Sequence, residues 1–220
     1  ILKASTNDML SGYSPSPEND TVGPLKEHLA AAIGLPPQRI ALGHGCKDLL
    51  KQILQHAVSE HNSKLRCLIP AKSWRYYDSL AEQVGARVQH FAMQQTEQEF
   101  SYDIADLHRH LASFRPHLLL LASPNNPTGN LFPLEELETI ATQYPETTIV
   151  LDEAHHGFID KALDGGGGAW AHHIPNLLVL RSFSNLYGLA GARIGYAIMG
   201  EGLEGYQNRV DRYIGFSRIA

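Results

Sequence analysis

Short β-rich apolar runs, each about one strand long, are separated by stretches with helical spacing. This alternation confines the chain to an α/β fold: a mostly parallel central sheet flanked by helices. The candidate strands are residues 39–42, 65–69, 87–91, 117–121, 147–151, 177–181 and 194–198. Between them Leu25, Leu29, Ala32 and Ile33 recur at helical intervals, as do Leu49, Leu50, Ile53 and Leu54, and later Leu134, Leu137, Ile140 and Ala141. The run Gly34-Leu35-Pro36-Pro37 ends the first of these helices, and Pro133 suits the first turn of another. No internal repeat or heptad pattern interrupts the scheme.

With 220 residues, 43% of them apolar, the chain can bury one sizeable core, and one large domain is expected. The net charge of −5 is spread through interspersed acids and bases, which excludes a nucleic-acid or anionic-membrane footprint. Apolar runs such as 118–122 and 177–180 are far too short for a membrane span, and no signal-like pattern opens the sequence. A soluble cytoplasmic protein is therefore expected. Cys46 and Cys67 form no C-x-x-C pair and no disulfide framework, in keeping with a reducing compartment. Neither adjacent histidine pair, His155-His156 or His172-His173, has zinc-ligand spacing, so no metal is expected. The glycine run from Asp164 to Gly168 lacks the Lys-Ser/Thr of a phosphate-binding P-loop and reads as a flexible surface loop.

In open parallel sheets ligands gather beyond the carboxyl ends of the strands. Four polar motifs stand there: residues 43–46, 123–129, 152–155 and 182–185. A Gly-x-Gly turn before a helix directs N–H groups at an anion. Asp152 is either a strand-end cap or a partner for a cationic ligand atom. Ser182 and Ser184 are turn caps or anion donors, and Arg193 is a surface ion-pair partner or a planar double donor. Trp74 is core or a stacking face.

The segment Arg-Ser-Phe-Ser-Asn-Leu-Tyr-Gly-Leu-Ala-Gly-Ala-Arg-Ile-Gly-Tyr at 181–196 resembles the cofactor-anchoring segment of fold-type I pyridoxal-phosphate (PLP) aminotransferases. Ser-Pro-Asn-Asn-Pro-Thr-Gly at 123–129, Asp-Glu-Ala-His at 152–155 and Gly-His-Gly-Cys at 43–46 extend the likeness. The histidinol-phosphate aminotransferase and threonine-phosphate decarboxylase branch is the nearest in pattern. The resemblance implies that Asp152 pairs with the pyridine nitrogen, and that Asn126 holds the phenolic oxygen with His155 beside it. It further implies that Gly45, Cys46, Ser182, Ser184 and Arg193 hold the phosphate, that Trp74 stacks on the ring, and that Tyr13 reaches toward the partner subunit of a homodimer. Residues 1–20 then form an N-terminal arm, 21–200 the PLP-binding domain, and 201–220 the start of a connection to a small domain absent from this chain.

One departure is decisive. Asn185 stands where the family carries its Schiff-base lysine, and an amide nitrogen is neither basic nor able to condense with an aldehyde. The family's reaction moves an amino group between an amino acid, or amino-acid phosphate, and a 2-oxo acid. Here that activity is expected to be lost or severely impaired, with PLP, its amine form or a preformed substrate aldimine bound without a covalent link. A non-catalytic binding protein and a PLP-dependent decarboxylase are the alternatives. Lys47 and Lys72 are candidate substitutes for the missing amine, disfavoured because imine formation demands a precise geometry.

Overall fold

The computed structural model describes residues 22–61, 64–158 and 166–210. Tyr13 and the arm at 1–20 lie outside them, as do residues 211–220.

The sheet forms as the apolar runs require. Strands β1 (Ile40–Gly43), β2 (Arg66–Pro70), β3 (Arg87–Phe91), β6 (Leu118–Ala122), β7 (Thr148–Asp152), β8 (Leu177–Ser182) and β9 (Gly195–Met199) pair in the order β1-β9-β8-β7-β6-β2-β3. From β3 through β8 every pairing is parallel, and only β9, inserted between β8 and β1, runs antiparallel to its neighbours. β4 (Met93–Gln95) and β5 (Phe100–Tyr102) form a separate antiparallel ribbon that the sequence pattern does not suggest.

Successive residues of a strand face opposite sides, and the core divides accordingly. Cys67, Ile69, Leu118, Leu120, Val150, Leu178 and Leu180 pack in one layer with the helix Cys46–Glu60 (α2) and the helix Tyr76–Gln83 (α3). Leu68, Leu119, Leu121, Ile149, Leu151, Leu177 and Val179 pack in the other, against Val22–Ile33 (α1), Ile104–Phe114 (α4) and Glu135–Gln143 (α5). A fully buried leucine contributes roughly 1.5–3 kcal/mol, so the two-sided burial of β6 and β7 makes them the anchor of the sheet. Leu203, Tyr206 and Val210 also join the first layer from the turn and helix after β9.

Local signals explain the helix ends. Gly34 adopts φ +78 and lets α1 close with the N–H groups of Gly34 and Leu35 both returning to the Ala30 carbonyl. Asp103 caps α4 by accepting from the Asp106 N–H at 2.9 Å. The glycine run is corrected in part. Gly167 and Gly168 are buried and open the short helix Gly167–Trp170 (α6), with the Gly167 N–H donated to the Glu153 carboxylate. A Cβ on Gly167 would fall 2.3 Å from Leu151 Cδ2, so close packing rather than loop freedom requires glycine there.

At the amino end of the sheet His61 stacks on His117, ring centroids 3.7 Å apart and planes 4° from parallel. His117 Nδ1 accepts the Arg66 N–H at 3.2 Å, an interaction open only to the neutral ring. Burial, then His61 and then Arg66, lowers the His117 pKa from 6.5 to about 4. The unfolded chain therefore takes up the proton first. His117 contributes fully to stability above pH 6.5, and that contribution is lost as pH falls toward about 4. In chemical denaturation from pH 7 to 4, His117→Asn, which keeps an acceptor for Arg66, is expected to flatten this acid loss. An unchanged slope would show that other groups carry it.

Candidate functional site

The strand order alone brings the four polar motifs together. Ala122 of β6 is in register with Asp152 of β7, Asp152 with Leu180 of β8, Ser182 with Gly195 of β9, and Gly195 with Gly43 of β1. The carboxyl ends of β1, β6, β7 and β8 and the amino end of β9 thus form one row. Above it lies a cavity of about 270 Å³, bordered by Gly45, Cys46, Trp74, Asn126, Asp152, His155, Ser182, Ser184, Asn185 and Arg193. Every site residue named from the sequence reaches this cavity except Tyr13, which is outside the described residues.

Asp152 is buried at the end of β7. Its two oxygens accept the Tyr77 hydroxyl at 2.8 Å and the Ala154 N–H at 2.9 Å. Burial raises its pKa, and the hydrogen bonds from Tyr77 and Ala154 oppose the rise. Burial likewise keeps Tyr77 a phenol, its pKa well above the ordinary value, with the Asp152 charge adding to the effect. Tyr77 stands three residues after Trp74 in the sequence. Trp74 lies in the turn that leads into α3, with the Tyr77 N–H donated to its carbonyl at 2.9 Å, and the two rings meet edge to face at 5.5 Å. A buried carboxylate held by neutral donors, with no ion pair among the described residues, suits a ligand atom that brings its own proton and positive charge.

The other side of the row gathers hydroxyl, guanidinium and backbone donors. After β1, Gly45 adopts φ +84 and stands as the N-cap of α2, which has no side-chain cap hydrogen bond, so the helix opens with N–H groups suited to an anion. A Cβ on Gly45 would lie 2.7 Å from Arg193 Nη2, so the guanidinium rests against a bare Cα. Arg193, itself left-handed at φ 56, donates Nη1 to the Ala190 carbonyl at 2.9 Å and Nη2 to the His44 carbonyl at 3.2 Å. The Ser182 hydroxyl accepts the Ser184 N–H at 3.0 Å. Burial, then the Asp152 charge, pushes the Cys46 thiol well up, so it is present as a neutral thiol. Neighbouring strands lie about 4.8 Å apart. Asp152 on β7 and the arginine leading into β9 stand on strands two places apart in the sheet, an acid toward one side of the cavity and a guanidinium toward the other.

Gly195 keeps the anion turn in place. A Cβ there would approach Gly45 C at 2.8 Å and Cys46 N at 2.9 Å, both backbone atoms with no side chain to yield. Gly195→Ala is expected to cost about 1–3 kcal/mol from overpacking and to open the turn. Both a lower melting temperature and weaker binding of a phosphate-bearing ligand should follow. Stability lost with affinity intact would separate the turn from the binding site.

Asn185 is exposed and donates Nδ2 to the Ala154 carbonyl at 2.9 Å, so the side chain at this position points toward the segment just after Asp152. Of the two candidate amines, Lys47 borders the cavity, with Nζ 3.8 Å from the centre of the Tyr76 ring. Lys72 instead bonds Gln95 Oε1 at 2.7 Å, beside the β4-β5 ribbon. Asn125, next to Asn126, braces its turn through the Ser73 hydroxyl, the Lys72 carbonyl and Thr128. A wider hollow of about 630 Å³ shares Pro124, Asn126 and His155 with the cavity and opens toward Leu131 and Phe158.

Residues 3–220 match the family model for class I and II aminotransferases. The chain belongs to that family. Its relatives include histidinol-phosphate aminotransferase 1 of Cupriavidus pinatubonensis (strain JMP 134 / LMG 1197), 32% identical over 197 residues, covering 89% of this chain and 50% of the relative. Histidinol-phosphate aminotransferase of Anaeromyxobacter sp. (strain Fw109-5) is 34% identical over 187 residues, covering 84% and 50%. The crystal structure of histidinol-phosphate aminotransferase from Sinorhizobium meliloti in complex with pyridoxal-5'-phosphate superposes with a TM-score of 0.75 at 28% identity, over 89% of this chain and 51% of that one. L-threonine-O-3-phosphate decarboxylase from Porphyromonas gingivalis superposes at 0.63 with 25% identity, over 86% and 51%. The chain spans about half the length of the curated relatives it matches. Among the described residues of this aminotransferase-family chain, no helix is long and apolar enough to cross a membrane.

Proposed function

We propose that this chain forms the PLP-binding part of an aminotransferase acting on an amino acid or amino-acid phosphate, in a form disabled or severely impaired by Asn185. The observation that carries this reading is the single cavity holding a buried carboxylate, an asparagine, two hydroxyls and an arginine on adjoining strand ends. Those donors fit PLP: Asp152 for the ring nitrogen, Asn126 and His155 for the phenolic oxygen, Trp74 for the ring face. Ser182, Ser184, Arg193 and the turn at Gly45 and Cys46 would take the phosphate. When bound, PLP supplies an electron sink for the substrate's α-carbon.

Asp152 keeps a proton on the ring nitrogen by placing negative charge beside it. Tyr77 holds Asp152 in that orientation. Arg193 neutralises phosphate charge and fixes the ligand along the row. Asn185 offers no lone pair of amine basicity, so it neither accepts a proton from the α-carbon nor bonds an aldehyde. The partnership of two subunits, with Tyr13 contributing from one to the other, and a cytoplasmic setting belong to the same proposal. So does the division into an arm at 1–20, a cofactor domain at 21–200 and a connection at 201–220. A non-catalytic binding role is favoured by one observation, the amide at position 185.

Titrating the protein with PLP and following its absorption tests the reading. Saturable binding is expected, with no cofactor retained after borohydride treatment and denaturation. Absence of saturable binding would overturn it.

A further inference from the structure

We infer that the amino end of the sheet carries a second small-molecule site, for a phosphate-type dianion, formed by His61, Arg66, Arg115 and His117. These residues line a cavity of about 560 Å³ that also touches Tyr144, Glu146 and Thr147. That volume falls in the range of small-molecule sites, about 300–1,000 Å³. Arg66 opens β2, His117 immediately precedes β6, and Thr147 immediately precedes β7. Strands of this length rise about 3.3 Å per residue, so the cavity lies roughly 15 Å from the row of strand ends around Asp152. It shares no residue with the cofactor cavity.

The donors are already held in place. Arg66 Nε donates to the Phe114 and Arg115 carbonyls at 3.1 and 2.9 Å, and Nη2 to the Arg115 carbonyl at 2.6 Å. Its Nη1 makes no hydrogen bond among the described residues. The guanidinium is thereby fixed at the turn between α4 and β6 with one face of its fork unspent. Because His117 Nδ1 accepts the Arg66 N–H, the proton of the neutral ring sits on Nε2, a ready donor. Arg115, exposed and left-handed at φ 46, has no ion pair among the described residues. Thr147 Oγ1 ties the same edge to the Pro116 carbonyl at 2.8 Å.

The charge balance is one-sided. Two guanidiniums line this space, and among the described residues Glu146 is the only carboxylate lining it. Glu60, at the end of α2, also acts on His61. Burial lowers the proton affinity of both imidazoles, and Arg66 lowers each further. Such a positive field beside aromatic donors is what a doubly charged anion neutralises, with Arg supplying paired N–H groups to a phosphate.

The test uses inorganic phosphate on the full chain, exchanged for chloride at constant ionic strength, while the imidazole resonances of His61 and His117 are followed by NMR. At pH 7.5, where inorganic phosphate is mostly a dianion, saturable shifts at both rings are expected. Arg115→Asn, whose side chain tolerates the left-handed backbone, is expected to weaken the phosphate response at least tenfold. Arg193→Ala, which alters the other anion cradle, is expected to leave it unchanged. Either of two results overturns the inference: no saturable shift in the unmodified protein, or a response at His117 that Arg193→Ala removes and Arg115→Asn does not.

Discussion

Asn185→Lys is expected to convert non-covalent PLP binding into a covalent attachment. The side chain at 185 already reaches the Ala154 carbonyl, two residues past Asp152, so an amine placed there enters the space between the ring-binding and phosphate-binding groups. Condensation of amine and aldehyde would release water and leave a carbon–nitrogen double bond, which borohydride reduces to a stable secondary amine. Peptide mapping should find the reduced adduct at position 185. A regained base is also expected to raise amino-group transfer, since a positioned base typically supplies roughly 10²–10⁴ in rate. Stability should hardly change, because position 185 is exposed. An adduct on Lys47, which borders the same cavity, would mean that the amine was never missing. PLP still removable after reduction of the variant would place position 185 outside the reactive geometry.

Asp152→Asn should separate binding from stability in opposite directions. Burial raises the Asp152 pKa above its ordinary value of 3.8, so the folded protein holds this proton more tightly than the unfolded chain does. The resulting penalty is absent in acid and grows as pH rises above 3.8. The amide removes it: Oδ1 still accepts the Ala154 N–H, and Nδ2 donates to a reoriented Tyr77 hydroxyl. Without cofactor, the variant is expected to melt higher at pH 7. With cofactor, it lacks the charge opposite the ring nitrogen, and a charge-assisted hydrogen bond is worth about 1.5–3 kcal/mol, so affinity should fall roughly 10- to 100-fold. Thermal melts with and without PLP read both effects. A variant that loses stability and affinity together would make Asp152 a structural cap.

Parallel strands buried on both faces read as unbroken apolar runs, and β6, β7 and β8 are visible in the sequence for that reason. Their ends shift by a residue because the ladder continues into the motifs, taking in Asp152 and Ser182. The β4-β5 ribbon escapes notice because Gln94 and Gln95 are exposed and its strands are too short to show alternation. The helices α3 and α4 were also unmarked, although Leu107, Leu111 and Phe114 sit at helical spacing and are buried. The candidate site was legible because its residues follow strands, and strand order then places them in one row. Tyr77 was not, since its role depends on a contact with Asp152 across the fold. The His61-His117 stack is invisible for the same reason.

The excursion between β8 and β9 leaves and returns through paired backbone, with Ser182 in register with Gly195 and the Phe183 N–H bonded to the Ile194 carbonyl. Its interior is tied across by the Leu189 N–H to the Phe183 carbonyl. The loop is stapled at its neck, and the residue at its exposed bend carries almost none of the fold. A substitution at position 185 therefore changes the chemistry offered at the rim of the cavity while the paired neck keeps the loop in place.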